Sequence, residues 1–238
     1  MTNPTSNTLP KSPIVLIQNP KSGHCHKVSL FMALNVIPFT TVEPDMAKGE
    51  HKSERFSSLN VFKQVPVITD GDVTLADSNA ILVYLIHAYA DSDYWLGRDA
   101  KEKALIQRWL SVSAGELAKG PAAARLEYVF GATIHVPTVL ATSETLLANM
   151  EAHLGNTVSA FLVGEHVTAA DIAMYSYIAH APEGGISLSK FPLINAWINA
   201  VESLDNFVPM PASDIAPARN TSPHSYLRSL CLYLSYHP

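Results

Sequence analysis

The first apolar cluster along the chain, Ile14-Val15-Leu16-Ile17, is an unbroken run of the kind that predicts a strand covered on both faces. After the punctuation of Asn19-Pro20 and Gly23 the spacing changes. Val28, Phe31 and Met32 recur at helical intervals, predicting a helix that closes near Asn35-Val36. Pro38 to Val42 reads as a second strand, and two strands joined through a helix form a βαβ unit whose strands run parallel. A polar stretch with a short helix, Ser53 to Leu59, leads to Val65-Pro66-Val67-Ile68, a turn signal at Asp70-Gly71 and a second run from Asp72 to Leu75. Pro66 has no N–H to give to a ladder, so its place beside a β-run calls for a special turn. The helix Ser78 to Ala90 follows.

The order β-α-β-α-β-β-α is that of a thioredoxin-like domain, with a parallel pair and an antiparallel hairpin in one mixed sheet. From Ala100 onward no strand is evident. The segments AKEKALIQRWLSVSAGELAKG, TSETLLANMEAHLG, TAADIAMYSYIAHA and LINAWINAVESL each place apolar residues every three or four positions. The expected fold is an α/β thioredoxin-like N-terminal domain over residues 13–90 and an all-α C-terminal domain over 100–211. A linker at 91–99, carrying Gly97, joins them, with a loose arm at 1–12 and a tail at 212–238. The tail's leucines and tyrosines follow no register, so it reads either as native or as a vector-encoded remnant.

Composition narrows the function. Hydrophobic residues make up 47% of the 238 and charged residues 16%, which argues for folded domains. The net charge of −5 contains no basic block, which argues against nucleic acid as a partner. The two cysteines, Cys25 and Cys231, lie far apart without C-x-x-C spacing, so a disulfide framework or zinc module is not expected and a reducing cytoplasm is. His24-Cys25-His26 is no metal site, because consecutive helical side chains splay apart. The longest apolar run, near Ile81 to Ala90, is broken by His87 and too short to span a bilayer, and the polar N-terminus lacks the core of a signal peptide. The glycosylation match Asn220-Thr221-Ser222 is then a coincidence.

Several residues carry candidate chemistry. Ser78, at a predicted helix start, is a good N-cap, and the same exposed amides welcome a carboxylate. Thr168 and Asp171 form a capping box, with Val167 and Ile172 spaced as its hydrophobic staple, which is a structural device.

Three motifs, Gln64-Val65-Pro66-Val67, Asp77-Ser78 and Thr168-Ala169-Ala170-Asp171, follow one another across these two halves. In them the chain resembles the cytosolic glutathione S-transferases of bacterial type, over Ile14 to Pro211. The resemblance implies a cis Val65–Pro66 bond that frees the Val65 backbone, so that glutathione adds as a short strand. It implies that Ser78 binds the γ-glutamyl carboxylate and that Asp77, where the family often has Glu, balances the ammonium. Gln64, with Lys52 or His51, would hold the glycyl carboxylate.

The thiol needs an activator, since a free thiol of pKa about 8.5 is only a few per cent thiolate at neutral pH. Ser22 falls where zeta-like members, with Ser-Ser-Cys followed by Arg-Val, carry a catalytic serine; Lys27-Val28 echoes the Arg-Val. Beta-like members use a cysteine and a histidine in the fourth helix, where this chain has Glu116-Leu117-Ala118-Lys119. Cys25 is therefore the second candidate, with packing against the sheet as its other role. The second-substrate pocket is expected between the first and fourth helices, near Arg108, Trp109, Ser111 and Tyr128.

The implied reaction is attack of an activated glutathione thiolate on a small apolar electrophile. Glutathione enters as substrate, no metal is needed, and the chain forms a cytoplasmic homodimer without nucleic-acid or membrane partners. Two rivals stand beside this reading: thiol-disulfide exchange or dehalogenation through Cys25, and a non-catalytic member that binds glutathione or other ligands.

Overall fold

The computed structural model describes residues 9–213. Cys231, the Asn220-Thr221-Ser222 match and most of the expected arm and tail lie outside the described residues.

Strand β1 (Ile14–Ile17) buries Ile14 and Leu16 completely, as its apolar run requires. Helix α1 (Gly23–Leu34) crosses to β2 (Phe39–Val42), which pairs with β1 in parallel, Ile14 opposite Phe39. A 3-10 turn (Glu50–Lys52) and α2 (Glu54–Leu59) lead to β3 (Val67–Asp70) and β4 (Val73–Ala76). The sheet order is β2-β1-β3-β4, with β3 antiparallel to both neighbours. Asp70 pairs with Val73, so the turn is Gly71-Asp72 and not Asp70-Gly71; Gly71 supplies the left-handed φ of +59° that it needs. Helix α3 (Ser78–Tyr89) then packs on the sheet beside α1.

The expected linker contains a helix of its own, α4 (Ser92–Leu96), capped by the Asp91 carboxylate on the N–H groups of Asp93 and Tyr94. Helix α5 (Ala100–Val112) runs without a break into a π-helical stretch (Ser113–Ala122) and then into α6 (Ala123–Phe130). Helices α7 (Val136–Gly155), α8 (Ala169–Ala179) and α9 (Pro192–Glu202) complete the helical half. Helix α8 is its axis, buried on every side from Ala169 to Ile178.

The main core is continuous across both halves, and α1 is the reason. It is not amphipathic: Cys25, Val28, Leu30, Phe31 and Met32 are all wholly buried between the sheet and the helical domain. Some of its polar residues find partners in the second half. His26 Nδ1 lies 2.9 Å from Ser176 Oγ and its Nε2 2.8 Å from the Val208 carbonyl. Among the described residues no helix is long and apolar enough to cross a membrane.

Candidate active site

Ser22 ends the loop after β1. Its backbone is extended (φ −91°, ψ 119°) and its Oγ accepts the Cys25 N–H at 3.4 Å, which makes it the N-cap of α1. The loop is pinned from beneath by the helical domain. Arg125, buried in α6, donates Nη1 to the Lys21 carbonyl at 3.0 Å. Its Nε and Nη2 donate to Glu183 Oε2 at 2.9 and 2.7 Å. The Tyr177 ring covers the start of α1 so closely that a Cβ at Gly23 would come within 2.9 Å of it. Burial pushes the Tyr177 hydroxyl above the usual phenol range, against the pull of the Ser22 hydroxyl and the His24 backbone.

Opposite Ser22 stands the turn before β3. The Val65–Pro66 bond is cis, and β3 begins only at Val67. Neither the N–H nor the C=O of Val65 has a hydrogen-bond partner among the described residues, while Asn60 Nδ2 holds the Gln64 carbonyl at 2.8 Å.

The start of α3 forms the third side. Asp77, not Ser78, is the N-cap: its carboxylate accepts the N–H groups of Asn79 and Ala80 at 3.0 and 2.9 Å. Its φ of +72° is unusual for a residue with a Cβ and is held by those two bonds. Ser78 is thereby the first residue of the helix. It is buried, with its Oγ 3.2 Å from Lys27 Nζ and 3.3 Å from His24 Nδ1. Lys27 also donates to Asn79 Oδ1 at 2.7 Å and Ser113 Oγ at 3.0 Å. Burial, opposed by Asp77, lowers the Lys27 ammonium to about 7. Burial first and Lys27 second lower His24 to about 4, so its imidazole is neutral.

Two cavities meet along this wall. One, of ≈ 420 Å³, is bounded by Val65, Pro66, Asp77, Ser78 and the exposed Phe62. The other, of ≈ 470 Å³, runs from Ser22 to the helical domain, where Ala118, Ala122, Leu126, Phe130 and Tyr177 line it. His24, Gln64 and Val65 border both.

The structure thus brings together Ser22, Gln64, Val65, Pro66, Asp77 and Ser78, and it relocates the other candidates. Cys25 points away from the cavities: it is wholly buried, its Sγ accepts the Asn19 N–H at 3.4 Å, and burial raises the thiol to about 11. Lys52 is exposed outside both cavities, whereas His51 lines the larger one with its Nδ1 buried and unpartnered among the described residues. Arg108 is exposed, and Trp109 packs edge-on against His153 in the core. Ser111 faces a groove beside α3, and the Tyr128 hydroxyl packs on Gly185. None of these four lines the cleft.

Residues missed from sequence include Lys27, Arg125, Tyr177 and the cleft wall. A signal for the wall existed: Ala118, Ala122, Leu126 and Phe130 stand four residues apart along one helical rod. His24, Cys25 and His26 turn to different surroundings, and among the described residues no group of three or more His, Cys, Asp or Glu gathers as a metal site requires.

Comparison with known proteins bears on this arrangement. Residues 10–87 match the model of the glutathione S-transferase N-terminal domain and residues 133–205 that of the C-terminal domain. Mouse glutathione S-transferase theta-1 is 31% identical over 190 residues, covering 76% of this chain and 79% of the relative. The chain belongs to the glutathione S-transferase family. Mouse glutathione S-transferase theta-2 is 32% identical over 183 residues, covering 74% of this chain and 75% of its own. A solved glutathione S-transferase from Pseudomonas fluorescens superposes with a TM-score of 0.78 at 29% identity, covering 84% of this chain and all of that one. The named mammalian relatives are theta-class, while the Ser22 motif was compared above with zeta-like and beta-like members.

Proposed function

We propose that the protein conjugates glutathione to small apolar electrophiles, with Ser22 stabilising the attacking thiolate. The observation that carries this is the convergence on one pair of joined cavities of an N-cap hydroxyl, a backbone edge without partners and a helix start. Glutathione pairs as a strand with Val65. Its γ-glutamyl carboxylate takes the Ser78 hydroxyl and the Ser78 backbone N–H, and the exposed Asp77 faces its ammonium. Gln64 and the unpartnered His51 Nδ1 suit the glycyl carboxylate, with Lys52 further out. The thiol then lies toward Ser22, and the electrophile occupies the apolar wall from Ala118 to Phe130. Thiolate formation releases the proton to solvent, and the Ser22 O–H donates to the sulfur.

The buried, proton-retaining thiol of Cys25 counts against exchange chemistry through that residue. A reducing cytosol and a homodimer belong to the same reading; a shallow apolar groove between α3 and α5, at Leu75, Val83 and Leu110, gives the dimer a surface.

The test is Ser22→Ala. A hydrogen bond to a charged sulfur is worth about 1.5–3 kcal/mol, so the bound thiol should rise by about one to two pKa units. Conjugation at neutral pH should fall about 10- to 100-fold and recover in alkaline buffer. An unshifted pH–rate profile would refute the role of Ser22.

A further inference from the structure

Among the described residues Lys27 has no counter-ion in contact. It is 1% exposed, and its three ammonium protons go to three neutral oxygens, those of Ser78, Asn79 and Ser113. The titratable groups around it are His24 on its own helix and Asp77 at the α3 cap, whose carboxylate is engaged with backbone N–H groups. From the π-helical wall Ser113 accepts its third hydrogen bond, and the Ser113 hydroxyl donates onward to the Ala173 carbonyl. A cation enclosed by neutral partners is costly, and a nearby anion relieves that cost.

Proton accounting shows what the ammonium does to Ser78. While Lys27 donates to Ser78 Oγ, the serine O–H must point elsewhere, toward His24 Nδ1 or the cavity. A neutral amine offers a lone pair instead, and the hydroxyl can turn inward to it.

We propose that Lys27 is a positioning residue for glutathione: protonated, it aims the Ser78 hydroxyl at the γ-glutamyl carboxylate and supplies that carboxylate with its buried countercharge. This rests on the reading of Ser78 as the γ-glutamyl site. Binding and protonation of Lys27 are then linked. The bound anion strengthens the ammonium's hold on its proton, so affinity is full below the free-protein pKa and is lost as pH rises through the higher bound-state value. His24, neutral throughout that range, does not mask the effect.

The experiment is titration calorimetry with S-methylglutathione, which keeps the γ-glutamyl end and has no ionisable thiol, in buffers of differing ionisation enthalpy. For a bound-state shift of about one unit, the native protein should take up protons and lose about fivefold in affinity between about pH 6 and pH 8. Lys27→Arg keeps a charge that does not titrate and should bind with a flatter pH response and no such uptake. Lys27→Met, if it folds, should bind about tenfold more weakly at about pH 6, with no linkage. The ligand's own ammonium titrates alike in all three. A native protein without proton uptake, or a Lys27→Arg variant with the native pH response, overturns the proposal. Ser78→Ala that binds as the native protein does would overturn the prior reading of Ser78, a separate outcome.

Discussion

Removing the Asp171 side chain should cost far more than a lost helix cap. The carboxylate is wholly buried and accepts four hydrogen bonds. Its Oδ1 takes the Leu162 N–H at 2.9 Å and Trp197 Nε1 at 2.8 Å. Its Oδ2 takes the Thr168 N–H at 2.8 Å and the Thr168 hydroxyl at 3.2 Å. Burial pushes Asp171 above the ordinary carboxylate range, and these four donors pull it back. A capping interaction alone is worth about 1 kcal/mol. In Asp171→Ala the threonine hydroxyl can rotate, but the Leu162, Thr168 and Trp197 N–H groups are left buried and unpaired. Each costs about 1–3 kcal/mol; relief of the carboxylate's own desolvation and entry of water offset part, leaving a loss of about 3–5 kcal/mol. Asp171→Asn should recover less than half, since an amide nitrogen would face donors. Equilibrium urea unfolding followed by tryptophan fluorescence measures the loss, and glutathione affinity of the folded fraction should stay within about twofold of the native value. A loss below about 1.5 kcal/mol for Asp171→Ala would show that these bonds do not hold the helical domain together.

Two further outcomes follow from the cleft and its surroundings. In a Cys231→Ser background, Cys25 should resist a disulfide reagent in mildly alkaline buffer and react at once in denaturant, because its thiol is enclosed and held at about 11; rapid native labelling, counted spectrophotometrically, would contradict that. Leu126→Ala should raise KM for an apolar electrophile about 5- to 30-fold while leaving KM for glutathione nearly unchanged, since a few methyl groups of contact are worth about 1–2 kcal/mol. Equal changes in both constants would place the electrophile elsewhere.

Much of the architecture was legible because the signals were local. Ile14 to Ile17, the hairpin with its turn glycine and the spacing of α8 each declare themselves within a dozen residues. The cavity wall proposed to take glutathione was legible for the same reason, since Gln64 to Pro66 and Asp77-Ser78 are each contiguous segments. What escaped depends on distant partners. Lys27 shows in the sequence only as an echo of the Arg-Val pair until α3 and the π-helical stretch close over it, and nothing marks Arg125 until Glu183 and the Lys21 carbonyl surround it. The second-substrate pocket was expected near Arg108, Trp109, Ser111 and Tyr128, whereas the cavity beside Ser22 is lined by Ala118, Ala122, Leu126 and Phe130 of the same rod. An i→i+5 stretch there turns the helix face in a way that an ordinary 3.6-residue count does not anticipate.

The dependence of α1 on the helical half limits how this molecule can be taken apart. The serine at its head, the lysine in its middle and the histidine between them find their partners in Arg125, by way of Lys21, in Ser113 and in Ser176. The unit of inheritance is therefore not the thioredoxin-like cassette that ends at the linker. A chimera that exchanged residues 13–90 between relatives would carry α1 into a foreign socket, where the lysine keeps Ser78 and Asn79 but loses Ser113, and the histidine loses Ser176 and the Val208 carbonyl. Swapping specificity should succeed along the rod from Ala118 to Phe130, where the exchanged side chains face the cleft, and fail across the linker, where they face one another.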